Sequence, residues 1–157
     1  MDNISGFITS NLIIDLSFCA WFFAQFAKLV IELLVHRKFD LTKLWSSGEM
    51  PSSHSALVCC ASASIGAIHG TGSSIFALSF VLAGVVMYDA CHVRRSAGEQ
   101  ARMINLLSNL LTKNKEEQYS ALKDLQLKEI LGHTPFQVFV GAMLGMITGL
   151  YGVAYFG

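Results

Sequence analysis

Four stretches of this chain come close to the length and apolarity needed to cross a bilayer, and that limits its fold more than any other feature. They run from about Phe7 to Val35, Ser52 to Ile68, Ser73 to Ala90 and Pro135 to Phe156. A helix needs roughly 20 mostly apolar residues to span the hydrocarbon core. The composition agrees: 53% of residues are hydrophobic, 14% are charged, and the mean hydropathy is +0.51. A soluble domain carries about a quarter of its residues charged, so an ordinary soluble enzyme does not fit, and the apolar content excludes disorder. The expected fold is all-α, a polytopic membrane bundle of about four transmembrane helices with one or two amphipathic surface helices. It forms a single domain over residues 1–157, with 91–134 as its long connection.

Eleven Lys and Arg balance eleven Asp and Glu, so no overall positive field exists to collect nucleic acid. The first stretch is expected to stay in the mature protein, because Met1 to Ser10 carries no Lys or Arg and no small-residue cleavage site follows. Cys19, Cys59, Cys60 and Cys91 lie in or beside apolar runs and read as small core hydrophobes, not as a disulfide framework.

The second stretch is short and rich in Ser, Ala and Gly, which suits a helix packed inside a bundle. Gly70-Thr71-Gly72 makes a tight turn into the third. Beyond Cys91 the pattern changes. Ala97, Ala101, Ile104, Leu107 and Leu111 fall at helical spacing against Glu99, Arg102 and Asn109, which predicts an amphipathic helix on the membrane surface or capping the bundle. Lys113 to Gln118 reads as a solvated turn, and Tyr119 to Leu131 as a second short amphipathic helix. Ten of the eleven basic residues fall in the first and third connections. The positive-inside rule makes that face cytoplasmic and puts both termini outside.

Nearly every unusual polar residue gathers at that same face. Pro51 and Pro135 each suit a first helical turn, and a helix N-terminus attracts anions. With His54, His133, Arg94 and Arg95 nearby, the composite suits a phosphate. Blander readings stand beside this one. The histidines could be caps, and the arginines could anchor to lipid headgroups. Gln25, Lys28 and Glu32 share one helix face and could simply pair together, although intramembrane ionisable groups are functional candidates by default. Gly141, Gly145 and Gly149 form a stripe for close helix packing, and such small-residue faces also allow a homo-oligomer. Asp89, Cys91, His92 and His133 match no recognised zinc spacing, and the adjacent arginines would repel a cation, so no metal and no cofactor is expected. Asp15 and His69 receive no role from sequence.

Several motifs in one order resemble the divergent branch of the type 2 phosphatidic acid phosphatase superfamily, related to acid phosphatases and vanadium-dependent haloperoxidases. They are Ala24-Gln25-x-x-Lys28, Met50-Pro51-Ser52-Ser53-His54-Ser55, Met87-Tyr88-Asp89-Ala90-x-x-Val93-Arg94-Arg95, Asn105, and Leu127-Lys128-Glu129-x-Leu131-Gly132-His133-Thr134-Pro135-x-x-Val138-x-x-Gly141. The resemblance covers about Asn11 to Gly149. It implies a metal-independent phosphohydrolase on lipid phosphates.

In the parent superfamily a Pro-Ser-Gly-His motif supplies the acid and a His-x-x-x-Asp motif the nucleophile. By that resemblance His54 is the general acid, His133 attacks phosphorus to form a phosphohistidine, and Ser52 and Ser53 hold phosphate oxygens. The parent's aspartate is Gln137 here, so Glu129 or Asp89 is expected to orient His133. Its arginine six residues before the nucleophile falls on Leu127, which leaves Lys28, Arg94, Arg95 and Lys128 as the phosphate clamp. Glu49 and His92 stand where the divergent branch usually has glycine.

The expected function is hydrolysis of a phosphomonoester on a membrane phospholipid, phosphatidylglycerophosphate or phosphatidate, at the cytoplasmic face. Two alternatives stand beside it: a lipid-phosphate-binding membrane protein with weak or no turnover, and a phosphatase of polyprenyl phosphates or diphosphates. The expected partners are the phospholipid phosphate substrate and membrane lipids.

Overall fold

The computed structural model describes residues 6–36, 50–112, 127 and 132–157. Its helices are α1 (Leu12–His36), α2 (Ser53–His69), α3 (Ser74–Tyr88), α4 (Arg94–Thr112) and α5 (Pro135–Phe156), with a π-helical turn at Asp89–Val93 joining α3 to α4. Among the described residues there is no strand, and the fold is an all-α membrane bundle.

The first helix begins at Leu12, five residues later than the apolar run suggests, because the chain before it is claimed by side chains. Asn11 Oδ1 accepts from the N–H groups of Ile13 (3.0 Å) and Ile14 (3.2 Å), which caps the helix start. One turn in, the buried Asp15 carboxylate accepts from Ile8 N–H (2.7 Å) and from the Thr9 hydroxyl (2.7 Å), folding the leading segment back. Phe7 meets the Phe156 ring at 5.5 Å, fastening this segment to the end of α5.

The second helix lies inside the bundle, as its Ser, Ala and Gly content predicts, and touches α1, α3 and α5. Ser52 caps it, with Oγ accepting from Ser55 N–H (3.4 Å) and from the Ser55 hydroxyl (2.9 Å). Gly70, at φ 79°, ends it in a conformation that side chains resist. Ser73 then caps α3, which returns antiparallel to α2 and is held by Ser79 Oγ on Ser62 Oγ at 3.3 Å.

On its other side α2 runs parallel to α5 with backbones in contact. A Cβ on Gly141 would strike the Ser52 carbonyl oxygen, one on Gly145 that of Ala56, and one on Gly149 that of Cys60 at 2.7 Å. The four-residue steps match on both helices, so the glycine stripe is used within the chain, as small residues at a membrane helix interface allow.

The packing is small inside and large outside. Ala20, Ala24, Ala56 and Cys60 are fully buried, whereas Phe18, Phe22, Leu78, Val81 and Tyr151 project outward. Water would not tolerate that many exposed large side chains; lipid does. Among the described residues three helical stretches, Leu12–Leu34, Ser74–Leu110 and Pro135–Phe156, are long and apolar enough to cross a membrane. At 17 residues, α2 measures only about 26 Å, and α1, α3 and α5 pack around it.

From sequence the third span is expected to end at Ala90, with a separate amphipathic helix beyond Cys91. The amphipathic helix is present, but no loop precedes it: α3, the π turn and α4 follow one another without a break. α4 packs on the turn it grows from instead of lying across the bundle. Asn105 on α4 brackets Leu127 by donating to its carbonyl (2.9 Å) and accepting from its N–H (3.0 Å). The expected turn at Lys113 to Gln118 and most of the expected helix at Tyr119 to Leu131 lie outside the described residues.

Candidate active site

Parallel packing of α2 and α5 places their two N-termini side by side at the end of the bundle where α1 and α3 finish. Two backbone hydrogen bonds fix the junction. Ser52 N–H donates to the Gln137 carbonyl at 3.1 Å, and His133 N–H donates to the Ala90 carbonyl in the π turn at 3.1 Å. Gly132 lets the chain pass: a Cβ there would stand 2.5 Å from Arg95 N and 2.9 Å from Arg94 C.

The interior of this end is polar. Ser52 and Ser55 are fully buried, with Ser53, Lys28 and His133 nearly so. Buried polar groups at such density cost stability unless paired, and the first-turn N–H groups of α2 and α5 add donors that no carbonyl of their own helix reaches. Gln25, Lys28 and Glu32 all have polar partners.

His133 precedes the N-cap of α5. A hydrophobic residue commonly fills that position against the fourth helical residue, here Val138, which is also buried. An imidazole in that place loses its solvent. Burial, then the charges of Lys28, His54 and Arg94, lower the His133 pKa to about 4, with a hydrogen bond involving the Gln137 side chain working in the opposite direction. The ring is therefore neutral at physiological pH. Its Nδ1 is buried without a hydrogen-bond partner among the described residues.

Gln137 completes a capping box: its N–H donates to Thr134 Oγ1 (3.4 Å), and its Oε1 accepts from Thr134 N–H (2.7 Å). The residue that departs from the parent superfamily's aspartate thus closes the start of α5. The sequence Thr134-Pro135-Phe136-Gln137 carries that signature, so the signal was readable.

The π turn decides where the arginines go. Arg94 Nε donates to Asp89 Oδ2 at 2.8 Å and its backbone N–H donates to the Asp89 carbonyl. Arg94 remains an electrostatic neighbour of both His54 and His133, and its terminal guanidinium nitrogens still carry donors. Arg95 Nε instead donates to Glu99 at 3.2 Å, one turn along α4. His92 stacks on Tyr88 with ring centroids 4.4 Å apart.

Of the expected site residues, the fold therefore gathers His133, His54, Lys28, Arg94, Asp89, Ser52 and Ser53. Asp89 engages Arg94, not His133, and Arg95 is engaged along α4. Glu129 and Lys128 lie outside the described residues, as does Glu49. Two contributors escaped sequence reasoning: Ser55, whose hydroxyl donates to Ser52, and the Ala90 carbonyl, which no residue-type pattern can reveal. Among the described residues no three His, Cys, Asp or Glu side chains gather in a way that could hold a metal ion. Cys59 and Cys60 are buried and all four cysteines are free thiols. The assembled groups can hold a compact dianion against two helix N-termini and present a neutral imidazole to it.

The model of the divergent PAP2 family matches residues 9–148. The chain is also 43% identical over 146 residues to the uncharacterized membrane protein YuiD of Bacillus subtilis (strain 168), covering 89% of this chain and 92% of that one. No solved structure matches it significantly.

Proposed function

The chain belongs to the divergent PAP2 family, and from that premise we propose that it is a metal-independent lipid phosphate phosphatase working at the cytoplasmic membrane face. One observation carries the reading: a neutral, desolvated His133 sits where two helix N-termini, buried Lys28 and Arg94 converge.

In the proposed reaction an imidazole nitrogen of His133 attacks phosphorus as the bond to the lipid oxygen breaks. That oxygen leaves with a proton from His54, whose protonated form the incoming dianion favours. Water then attacks the phosphohistidine, His54 takes its proton, and inorganic phosphate departs. Lys28, the Arg94 guanidinium and the first-turn N–H groups of Ser53 and His54 stabilise the equatorial oxygens, the largest contribution such a site makes. Phosphatidate or phosphatidylglycerophosphate fits a site on the cation-rich face.

A second reading is a lipid-phosphate-binding protein without turnover. Gln137 favours it, being an amide beside His133 where a carboxylate would stabilise an imidazolium. Phosphate release from either lipid by the purified protein in detergent separates the two. The phosphatase reading expects release that survives a chelator and is blocked by vanadate, which adopts the five-coordinate geometry of the transferring group. Loss on chelation, restored by zinc or magnesium, would overturn the histidine mechanism. The sidedness has its own test: a Cys introduced at Lys115 should resist an impermeant reagent applied from outside.

A further inference from the structure

An apolar groove of about 450 Å³ opens between α3 and α5, with α2 as its floor. It exists because α3 packs on α2 and leaves α5 to the other side of that helix. Its α3 wall runs from Phe76 to Met87, eleven residues at about 1.5 Å each, or about 17 Å. That is slightly more than one leaflet, half of the roughly 30 Å hydrocarbon core.

The groove starts at the candidate active site. Met87, at its upper end, lies three residues before Ala90, whose carbonyl holds His133 N–H. Ala142, on the opposite wall, follows Gly141, which rests on the Ser52 carbonyl. From there the groove descends away from the cation-rich end, the path taken by a lipid chain whose phosphate sits at that end. At its far end the Phe76 ring lies 2.8 Å from where a Gly66 Cβ would be, which narrows the channel. In its wall Gly84 leaves open space, with nothing within 4 Å of a Cβ. Cationic pole, apolar trough and leaflet-deep length together describe an amphiphile.

We infer that this groove is the acyl-chain subsite of the phosphate site: one hydrocarbon chain of a phospholipid phosphate lies along α2 between α3 and α5 while its phosphate is held at His133. For the headgroup the inference rests on the phosphatase reading above. For the chain it rests on the groove alone. The enzyme then selects a membrane-resident lipid over a water-soluble phosphate ester, and Gly84 sets how bulky a chain enters.

The test uses the full-length protein in lipid nanodiscs with a phosphatidate carrying a diazirine at the end of one chain, and maps the crosslinks by mass spectrometry. Crosslinks are expected on groove residues such as Phe80 and Met146. They should fall by about tenfold in Gly84→Phe, the scale on which filling an apolar pocket discriminates. Ala67→Leu, on an exposed lining position, is a second block should Gly84→Phe fold poorly. In turnover, Gly84→Phe should lower the ratio of kcat/KM for a long-chain phosphatidate over its dihexanoyl analogue by a similar factor. Equal crosslinking over the outward face of α1 at Phe18, Phe22 and Phe26 would overturn the subsite. So would a groove map unchanged by either block, or crosslinks from the groove to a second copy of the chain. Should no ester be hydrolysed at all, the phosphatase reading fails while the crosslink map still decides the groove.

Discussion

His54 and His133 open neighbouring helices and share Lys28 and Arg94 as charged neighbours, yet the fold treats them oppositely. His54 lies inside the first turn of α2, after the cap, with its ring exposed. His133 stands before the cap of α5, in a position that is usually hydrophobic, and is 3% exposed. The difference teaches that a shift of three residues relative to the helix cap is enough to separate a solvent-exposed imidazole from a desolvated one. Nothing in the two residue types distinguishes them; their place relative to Ser52 and Thr134 does.

The sharpest way to break that division is to remove each ring in turn. His133→Ala should lower turnover on phosphatidate by roughly 10⁴-fold or more, the scale on which loss of a nucleophile is felt, and leave no trappable phosphohistidine. Full turnover in folded His133→Ala protein, or a phosphohistidine on His54, would reverse the roles. His54→Ala should cost about 10²–10⁴-fold on the lipid ester, whose leaving oxygen is basic, and far less on an aryl phosphate with an acidic phenol. Equal losses on both would mean that His54 is no acid.

Protonation sharpens the same contrast more gently. Because the folded state holds His133 at about pKa 4 against 6.5 in an unfolded chain, no penalty exists above about pH 6.5. As the pH falls through that window the unfolded chain takes up a proton that folded His133 refuses. Stability should then drop by up to about 3 kcal/mol from this group. Thermal unfolding in detergent should show wild type losing more between pH 7.5 and 4.5 than His133→Gln; equal losses would contradict the desolvated ring.

The smallest effect belongs to Gln137. Replacing it by Ala removes one half of the capping box and should cost about 1 kcal/mol, whereas Gln137→Asp sets a carboxylate beside His133 and should raise turnover. An unchanged melting temperature in Gln137→Ala would show that the cap contributes nothing.

Much of this was legible because membrane helices advertise themselves by length and apolarity, and because charges betray which ends meet. The interior place of α2 followed from its small residues, and the role of Gly141, Gly145 and Gly149 from their spacing. What stayed hidden was local backbone geometry. Asp89 and Arg94 are five residues apart, a separation that does not pair on an α-helix. They meet because the π turn closes its hydrogen bonds over five residues, and no Pro or Gly between Tyr88 and Val93 announces it. Asp15 was equally opaque: its partners are backbone N–H groups and the Thr9 hydroxyl of a non-helical segment, for which periodicity carries no signal.

The unbroken run from α3 through the π turn into α4 also has a mechanical side. A loop would act as a slack joint, letting the outer segment swing while the bundle stays still. Here the backbone is hydrogen-bonded across the junction, from Arg94 N–H to the Asp89 carbonyl, and the Ala90 carbonyl that steadies His133 sits inside that joint. A torque on α4 would therefore reach the Ala90 carbonyl, and through it the backbone of His133, with no loop between to absorb it.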